Sequence, residues 1–305
     1  MGLLVTLWAY KCLMTVIFQE KIIYMPYMPP FARSEKIEDY AASCRPVEWK
    51  EEKIQSIDGT RISVCVGKLP DTHGVTAQKQ VVICYFQGNG SSCPPRLPLL
   101  SHVLKSLGSS DGLQCTMIAL SYRGYWNSAG KASQKGIELD AQAMLGWVTE
   151  NYPHAMLILW GQSIGAGIAS TAAARHIERR GVLSIAGLIM ETPFMSIETM
   201  LLALYPQKWL PYRYLSPFLR SHWDSGVALR RIAEAGKQPP RVLLMPATRD
   251  EVVPPEEIKA LEQLCKDLSL EYDRKNVLGA LHTEATSRRE GQQAVAEFVR
   301  KLAAP

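Results

Sequence analysis

Two features that would quickly narrow the chemistry of this 305-residue chain are missing, a paired-cysteine motif and a dense basic run. The seven cysteines, Cys12, Cys44, Cys65, Cys84, Cys93, Cys115 and Cys265, form no C-x-x-C pair, and several fall inside expected strands. That scatter argues against a metal site and against a disulfide framework, and it favours a reducing compartment. The charge balance, 34 Lys and Arg against 29 Asp and Glu, leaves a formal net charge of +5. Basic residues gather only in short doublets such as Arg179-Arg180 and Arg230-Arg231. Nucleic acid, which needs a concentrated basic face, is therefore not an expected partner.

Also lacking are a basic segment ahead of the apolar run 3–18 and a small-x-small site after it, so a cleaved signal peptide is not expected. The run reads instead as a membrane anchor. Lys11 at its centre costs about 2.5–3.5 kcal/mol, and eight Leu, Val, Ile and Phe residues each return about 0.3–0.6 kcal/mol. The sum lies near zero. A 16-residue helix covers about 24 Å of a hydrocarbon core of about 30 Å, and Lys11, Thr15 and Gln19 share one stripe, so spanning and lying in the interface both fit. Met1-Gly2 with Thr6 matches the loose myristoylation pattern, and Cys12 is a candidate for acylation. The sequon Asn89-Gly90-Ser91 falls beside the expected site, where a glycan would obstruct substrate, so the domain is expected to face the cytosol.

What is present is an ordinary globular composition, 47% apolar and 21% charged. Residues 1–43 read as anchor and connector, and 44–305 as one domain in which strand and helix patterns alternate. Segments 47–54 and 61–66 flank the turn dipeptide Asp58-Gly59 and read as an antiparallel hairpin. Apolar runs at 81–86, 115–120, 155–160, 185–190 and 242–245 suit strands buried on both faces, with a last strand ending at Val277-Leu278. Helix patterns occupy 97–107, 137–149, 164–179, 255–268 and 290–302. This order predicts an α/β fold with a mostly parallel central sheet covered by helices on both faces. Residues 194–237 interrupt it with Tyr205, Trp209, Tyr212, Tyr214, Phe218 and Trp223. Two readings fit that insertion, a cap lining an apolar slot and a helical pair with its own core.

Between the strand 155–160 and the following helix stands Gly161-Gln162-Ser163-Ile164-Gly165. A Gly-x-Ser-x-Gly pentapeptide at a strand-to-helix turn is the pattern of a nucleophile elbow, with the serine projecting from the sheet's carboxyl edge. The pentapeptide alone is a weak signal. The apolar strand before it and the small residues after it, Gly165 to Gly167 and Ala172 to Ala174, strengthen it, because they let the helix lie close to the sheet.

A serine hydroxyl needs a base to take its proton and an acid to orient that base, and in this architecture they follow in the order serine, acid, histidine. Only His282 comes after the late strands. His73, His102, His154, His176 and His222 read as structural or exposed. Asp250, just past the strand 242–245, is the favoured acid, and Glu191, at the end of the preceding strand, is its rival. Asp224, Asp267 and Asp273 are weaker. Oxyanion donors are expected from the backbone N–H of Ile164 at a helix N-terminus and from the loop around Asn89, flanked by Gly88 and Gly90.

With these positions in place the chain resembles the α/β-hydrolase superfamily, and within it the N-terminally anchored α/β-hydrolase-domain proteins that include the bud-emergence homologues and protein depalmitoylases. The matching positions are Ile23-Tyr24 and Pro26, Gly88-Asn89, Tyr122-Arg123-Gly124-Tyr125 with Ser128 and Gly130, the helix near Asp140, the elbow, Pro193-Phe194, Asp250 and His282. Gln87 stands for a histidine, Ser121 for an aspartate and Trp126 for a glycine, all three expected near the pocket entrance. The resemblance implies hydrolysis of an ester or thioester without metal or organic cofactor, on an acylated small molecule, a lipid or a lipidated protein, at a membrane. A non-catalytic interaction protein and a serine peptidase are the competing readings.

Overall fold

The computed structural model describes residues 2–70, 79–108, 112–207, 209–210, 214–235 and 238–304; His73 and Tyr212 lie outside them. One sheet organises the chain. Its strands are β1 (Glu48–Gln55), β2 (Arg61–Lys68), β3 (Lys79–Phe86), β4 (Leu113–Ser121), β5 (Met156–Gln162), β6 (Ile185–Glu191), β7 (Arg241–Met245) and β8 (Tyr272–Arg274). They lie in the order β1-β2-β4-β3-β5-β6-β7-β8. The pairs β1–β2 and β2–β4 are antiparallel, and every later pair is parallel.

Strict alternation along each strand divides the core into two layers. Val82, Cys84 and Phe86 of β3 face the same side as Leu157 and Leu159 of β5. There they meet α4 (Gln134–Asn151), α5 (Ile164–Glu178), α7 (Ser225–Glu234) and α8 (Pro255–Asp267). Val81, Ile83, Tyr85, Ile158 and Trp160 face the other side, against α3 (Leu97–Leu107) and α9 (Arg289–Ala303). Continuous apolar runs are what strands covered on both faces require.

Chain direction reverses at β3. From β3 the chain steps to β4 on one side and then returns to β5 on the other, so the helices that follow depart to opposite faces. A crevice at the strands' carboxyl ends is the expected result of such a switch point. The elbow sits at that edge, where Phe86 pairs with Gly161 and Gln162 with Glu191.

Several elements differ from expectation. The N-terminal helix α1 runs over Gly2–Tyr24, 23 residues and about 35 Å, past the polar triplet Gln19-Glu20-Lys21. It has the length and composition of a membrane anchor or a signal sequence. Its continuation depends on tertiary bonds: Gln19 is buried, its Nε2 donates to the Phe218 carbonyl at 3.0 Å, and its Oε1 accepts from the Arg220 N–H at 2.7 Å. The expected connector also holds α2 (Ile37–Cys44), whose Cys44 joins the core beside α3. The last strand stops at Arg274, and Val277 contributes only a single bridge to Ala247. In the insertion, α6 (Ile197–Leu204) is capped by Ser196, and α7 is the ordinary crossover helix packed on α5. Trp223 is fully buried in the main core, whereas Trp209, Tyr214 and Phe218 are exposed.

Candidate active site

Ser163 lies between β5 and α5, as the N-cap of the helix, with φ 54° and ψ −122°, a conformation that L-residues rarely adopt and that persists only where surrounding structure enforces it. Here a bond and two close approaches enforce it. The Ser163 N–H donates to the Glu191 carbonyl at 2.8 Å. A Cβ on Gly161 would lie 2.1 Å from the Gly165 carbonyl oxygen, and one on Gly165 would lie 2.1 Å from that of Phe86. Only glycine fits at either position. The half-buried serine is thereby held above the sheet's carboxyl edge.

His282 arrives on the loop after β8. The Arg249 N–H donates to the Ala280 carbonyl at 3.0 Å and the Gly279 N–H to Thr248 Oγ1 at 2.8 Å, which staples this loop to the one following β7. The His282 backbone N–H donates to Glu251 Oε2 at 2.9 Å. Its ring is buried between two partners: Nε2 lies 2.9 Å from Ser163 Oγ, and Nδ1 lies 2.9 and 3.0 Å from the two Asp250 carboxylate oxygens. A carboxylate only accepts, so Nδ1 carries the proton and Nε2 presents its lone pair to the serine hydroxyl. Asp250 Oδ1 also accepts from the Val252 and Val253 N–H groups at 2.9 and 2.8 Å. Burial pushes the Asp250 carboxyl upward, but the bonds from His282 and these two amides hold it below the ordinary aspartate range.

Glu191, the rival acid, is turned elsewhere. It is fully buried and accepts from Trp160 Nε1 at 3.0 Å and from the Thr286 N–H and Oγ1 at 3.1 and 2.8 Å. Burial raises its carboxyl above the usual value against these bonds. Its side chain ties the sheet edge to the turn after His282, while its carbonyl holds Ser163. Among the other expected bystanders, His102, His154 and His222 are exposed, and His176 is buried in α5 against the Leu183 carbonyl at 2.8 Å. Asp224 caps α7, Asp267 accepts from Gln263, and Asp273 pairs with Arg241 and Lys301.

The loop after β3 lies against the elbow: a Cβ on Gly88 would come within 3.7 Å of Ser163 Cβ. Asn89 is exposed at its tip, and Ile164 is the first residue of α5. Gln87, expected near the entrance, is buried; its carbonyl accepts from Tyr122 Oη at 2.8 Å. Ser121 and Trp126 are buried too, and their side chains bond the Tyr125 and Glu35 carbonyls. All three side chains are thus internal, and the Gln87 carbonyl borders the elbow at Gly165. Sequence reading gave no role to Glu251 or Thr286, and took Tyr24 only as a position matching the resemblance. The Tyr24 carbonyl accepts from the Gly90 N–H at 2.8 Å and from Tyr125 Oη. No sequence signal marks a backbone acceptor of this kind.

A family model described as the alpha/beta hydrolase fold matches residues 81–223. The alpha/beta hydrolase domain-containing protein WAV2 of Arabidopsis thaliana is 30% identical over 257 residues, 81% of this chain and 75% of that protein. Protein bem46 of Schizosaccharomyces pombe is 30% identical over 190 residues, covering 62% of this chain and 57% of that protein. The mouse (Mus musculus) lysophosphatidylserine lipase ABHD12 is 30% identical over 122 residues, 40% of this chain and 29% of that one. In structure the chain resembles an esterase of Pyrococcus furiosus, with a TM-score of 0.61 at 18% identity over 88% of this chain and 94% of that one. An esterase of Pyrobaculum calidifontis gives a TM-score of 0.61 at 16% identity, over 89% and 90%. With its parallel sheet, its reversal at β3 and its serine-bearing elbow, the chain belongs to the α/β-hydrolase fold family.

Proposed function

We propose that this chain is a serine hydrolase that cleaves carboxylic ester or thioester bonds of acylated or lipidic substrates at a membrane. The observation that carries this reading is the unbroken chain of hydrogen bonds from Ser163 Oγ through His282 to Asp250.

In the proposed reaction Ser163 Oγ attacks the acyl carbon while its proton passes to His282 Nε2. Asp250 stabilises the imidazolium. The developing oxyanion is met by the backbone N–H groups of Ile164 and Asn89, each worth about 3–4 kcal/mol of transition-state stabilisation. The bond to the leaving alcohol or thiol breaks, and His282 returns the proton to it, leaving an acyl-serine. Water, deprotonated by the same imidazole, then releases the acid and restores the enzyme. Every proton is accounted for by Ser163, His282, water and the leaving group.

Lipidic substrates are favoured by the apolar α1 and by the exposed aromatic residues of the insertion. The test is a comparison of turnover on acyl esters, acyl thioesters and aminoacyl amides. The proposal expects hydrolysis of the first two and little of the third. Preferential cleavage of the amides would replace it with a peptidase, and a folded chain inert on all three would leave an interaction protein.

A further inference from the structure

The N-terminal helix exposes most of its large apolar side chains. Gln19 and Tyr24 are buried and Cys12, Met14, Thr15, Val16, Glu20 and Ile23 half-buried, most of them at the three- and four-residue spacing of one helix face. That face includes the polar Thr15 and Gln19, whereas Leu3, Leu7, Leu13, Ile17, Phe18 and Ile22 are exposed. A buried glutamine on one face and a broad exposed surface of leucine, isoleucine and phenylalanine on the others suit a helix whose outer surroundings are hydrocarbon.

The segment covering the inner face is itself apolar on its outside. Leu202, Leu204, Trp209, Tyr214 and Phe218 are all exposed, Trp209 at 72% and Phe218 at 59%. It is bonded to α1 over much of the helix. Trp8 Nε1 donates to the Trp209 carbonyl at 3.1 Å, and Gln19 Nε2 to that of Phe218 at 3.0 Å. Arg220 Nη2 donates to the Val16 and Ile17 carbonyls at 2.9 and 3.0 Å. Trp8 and Gln19 are eleven residues apart, about 16 Å along the axis.

That attachment decides between spanning and lying in the membrane surface. Were α1 to cross the bilayer, the strap formed by Trp209 and by the segment 214–220 that carries Phe218 and Arg220 would enter the hydrocarbon with it. Irregular backbone and an arginine exposed to lipid are not tolerated at that depth. A helix seated about 5–10 Å into one leaflet leaves the strap at the headgroup level, where aromatic and basic side chains are stable. At its inner end, α1 delivers the Tyr24 carbonyl to the Gly90 N–H of the loop beside Ser163. The seat and the site share one edge of the sheet.

We propose that α1 and the strap residues 202–207, 209–210 and 214–220 form a single monotopic seat in one leaflet, and that it holds the mouth of the Ser163 site against the lipid surface. Acyl chains then reach the site from the membrane. This rests on the membrane association proposed above and not on the hydrolytic chemistry.

The test uses the full chain with an N-terminal epitope tag, reconstituted into sealed phosphatidylcholine–phosphatidylserine vesicles. Protease added outside should remove the tag from every molecule whose catalytic domain is also accessible. A tag protected until detergent is added would overturn the monotopic seat while leaving membrane association intact. A chain that stays in the supernatant, or that self-associates without binding vesicles, would overturn both. The Trp209→Ser/Phe218→Ser double variant should bind vesicles at least about tenfold more weakly with unchanged turnover of a water-soluble ester. Unchanged binding would overturn the strap's part. Ser163→Ala should bind like the wild type, which separates seating from catalysis.

Discussion

The backbone carbonyl of Tyr24 accepts the Gly90 N–H at 2.8 Å, so the last turn of the N-terminal helix is bonded to the loop that lies against Ser163. Tyr24 is itself fully buried, its hydroxyl held by Trp223 Nε1 at 2.8 Å and by Ser221 at 2.9 Å. The helix end is therefore part of the site's scaffold, whatever its outer half does.

Truncation separates the two parts. A chain starting at Thr15 keeps Gln19 and Tyr24, and its turnover of a water-soluble ester should remain within about threefold of the full chain, as expected when no buried bond is lost. A chain starting at Tyr27 loses the acceptor for Gly90 and Tyr125 and leaves buried donors unpaired, each at a cost of about 1–3 kcal/mol. Its melting temperature and its turnover should both fall. Equal behaviour of the two truncations would contradict the scaffold role.

The two carboxylates near the sheet edge should respond in opposite ways. Asp250→Asn leaves the fold intact and disturbs the imidazole's tautomer, so turnover should drop by about 10⁴ with little change in melting temperature. Glu191→Gln replaces one of the two oxygens that accept from Trp160 and Thr286 by an NH2 donor, so one of these partners loses its acceptor, while no bond to His282 is touched. It should cost about 1–3 kcal/mol in urea unfolding, with turnover of the folded fraction changed much less. A larger activity loss in Glu191→Gln than in Asp250→Asn would reverse the assignment.

Glycines test the elbow's packing. At Gly165 a Cβ would meet the Phe86 and Gln87 carbonyl oxygens at 2.1 and 2.6 Å, both backbone atoms. Gly165→Ala should therefore destabilise by about 3 kcal/mol or more. Gly146, exposed inside α4, would place a Cβ in open space. Gly146→Ala should stabilise by about 0.5–1 kcal/mol. Chemical denaturation of both variants checks the pair.

How much of this was legible in the sequence follows from where each signal resides. Strands β3 to β7 announce themselves because burial on both faces demands unbroken apolar runs, and α3 is found at the expected 97–107. The extension of α1 through Gln19-Glu20-Lys21 was not readable, since Phe218 and Arg220, some 200 residues away, satisfy Gln19. Ser163 and His282 could be picked from motif and chain order. Position favours Asp250 over Glu191 without excluding the latter, because both end or follow a strand at the same edge; the directions of their side chains separate them. Gln87, Ser121 and Trp126 are expected near the entrance from their place in the chain, and their burial rests on tertiary partners, Tyr122 for Gln87, Tyr125 for Ser121 and the connector residues Arg33 and Glu35 for Trp126.

A pH effect on stability is expected at the hairpin. Arg123 pairs with Asp58 at 2.8 Å and with the buried Asp140 at 2.7 Å, and its guanidinium holds the Asp58 carboxyl well below the usual aspartate range. A depressed carboxyl contributes stability that is present above its unfolded value, about 3.9, and is lost as pH falls through the lower folded value. The wild type should exceed Asp58→Asn in melting temperature at pH 6–7, and the gap should close as the medium is acidified below about pH 4. Salt should narrow it as well, since the Asp58 side chain is partly exposed. A gap independent of pH would assign the loss to packing instead.

The account turns on an activated hydroxyl at Ser163, and a fluorophosphonate probe reads that directly. Incubated with the folded full-length chain, the probe should attach covalently at one site, located by mass spectrometry on the peptide carrying Ser163. Ser163→Ala should abolish labelling, and His282→Ala should slow it by several orders of magnitude. Labelling that persists in Ser163→Ala, or a folded wild-type chain that the probe leaves unmodified, would contradict it.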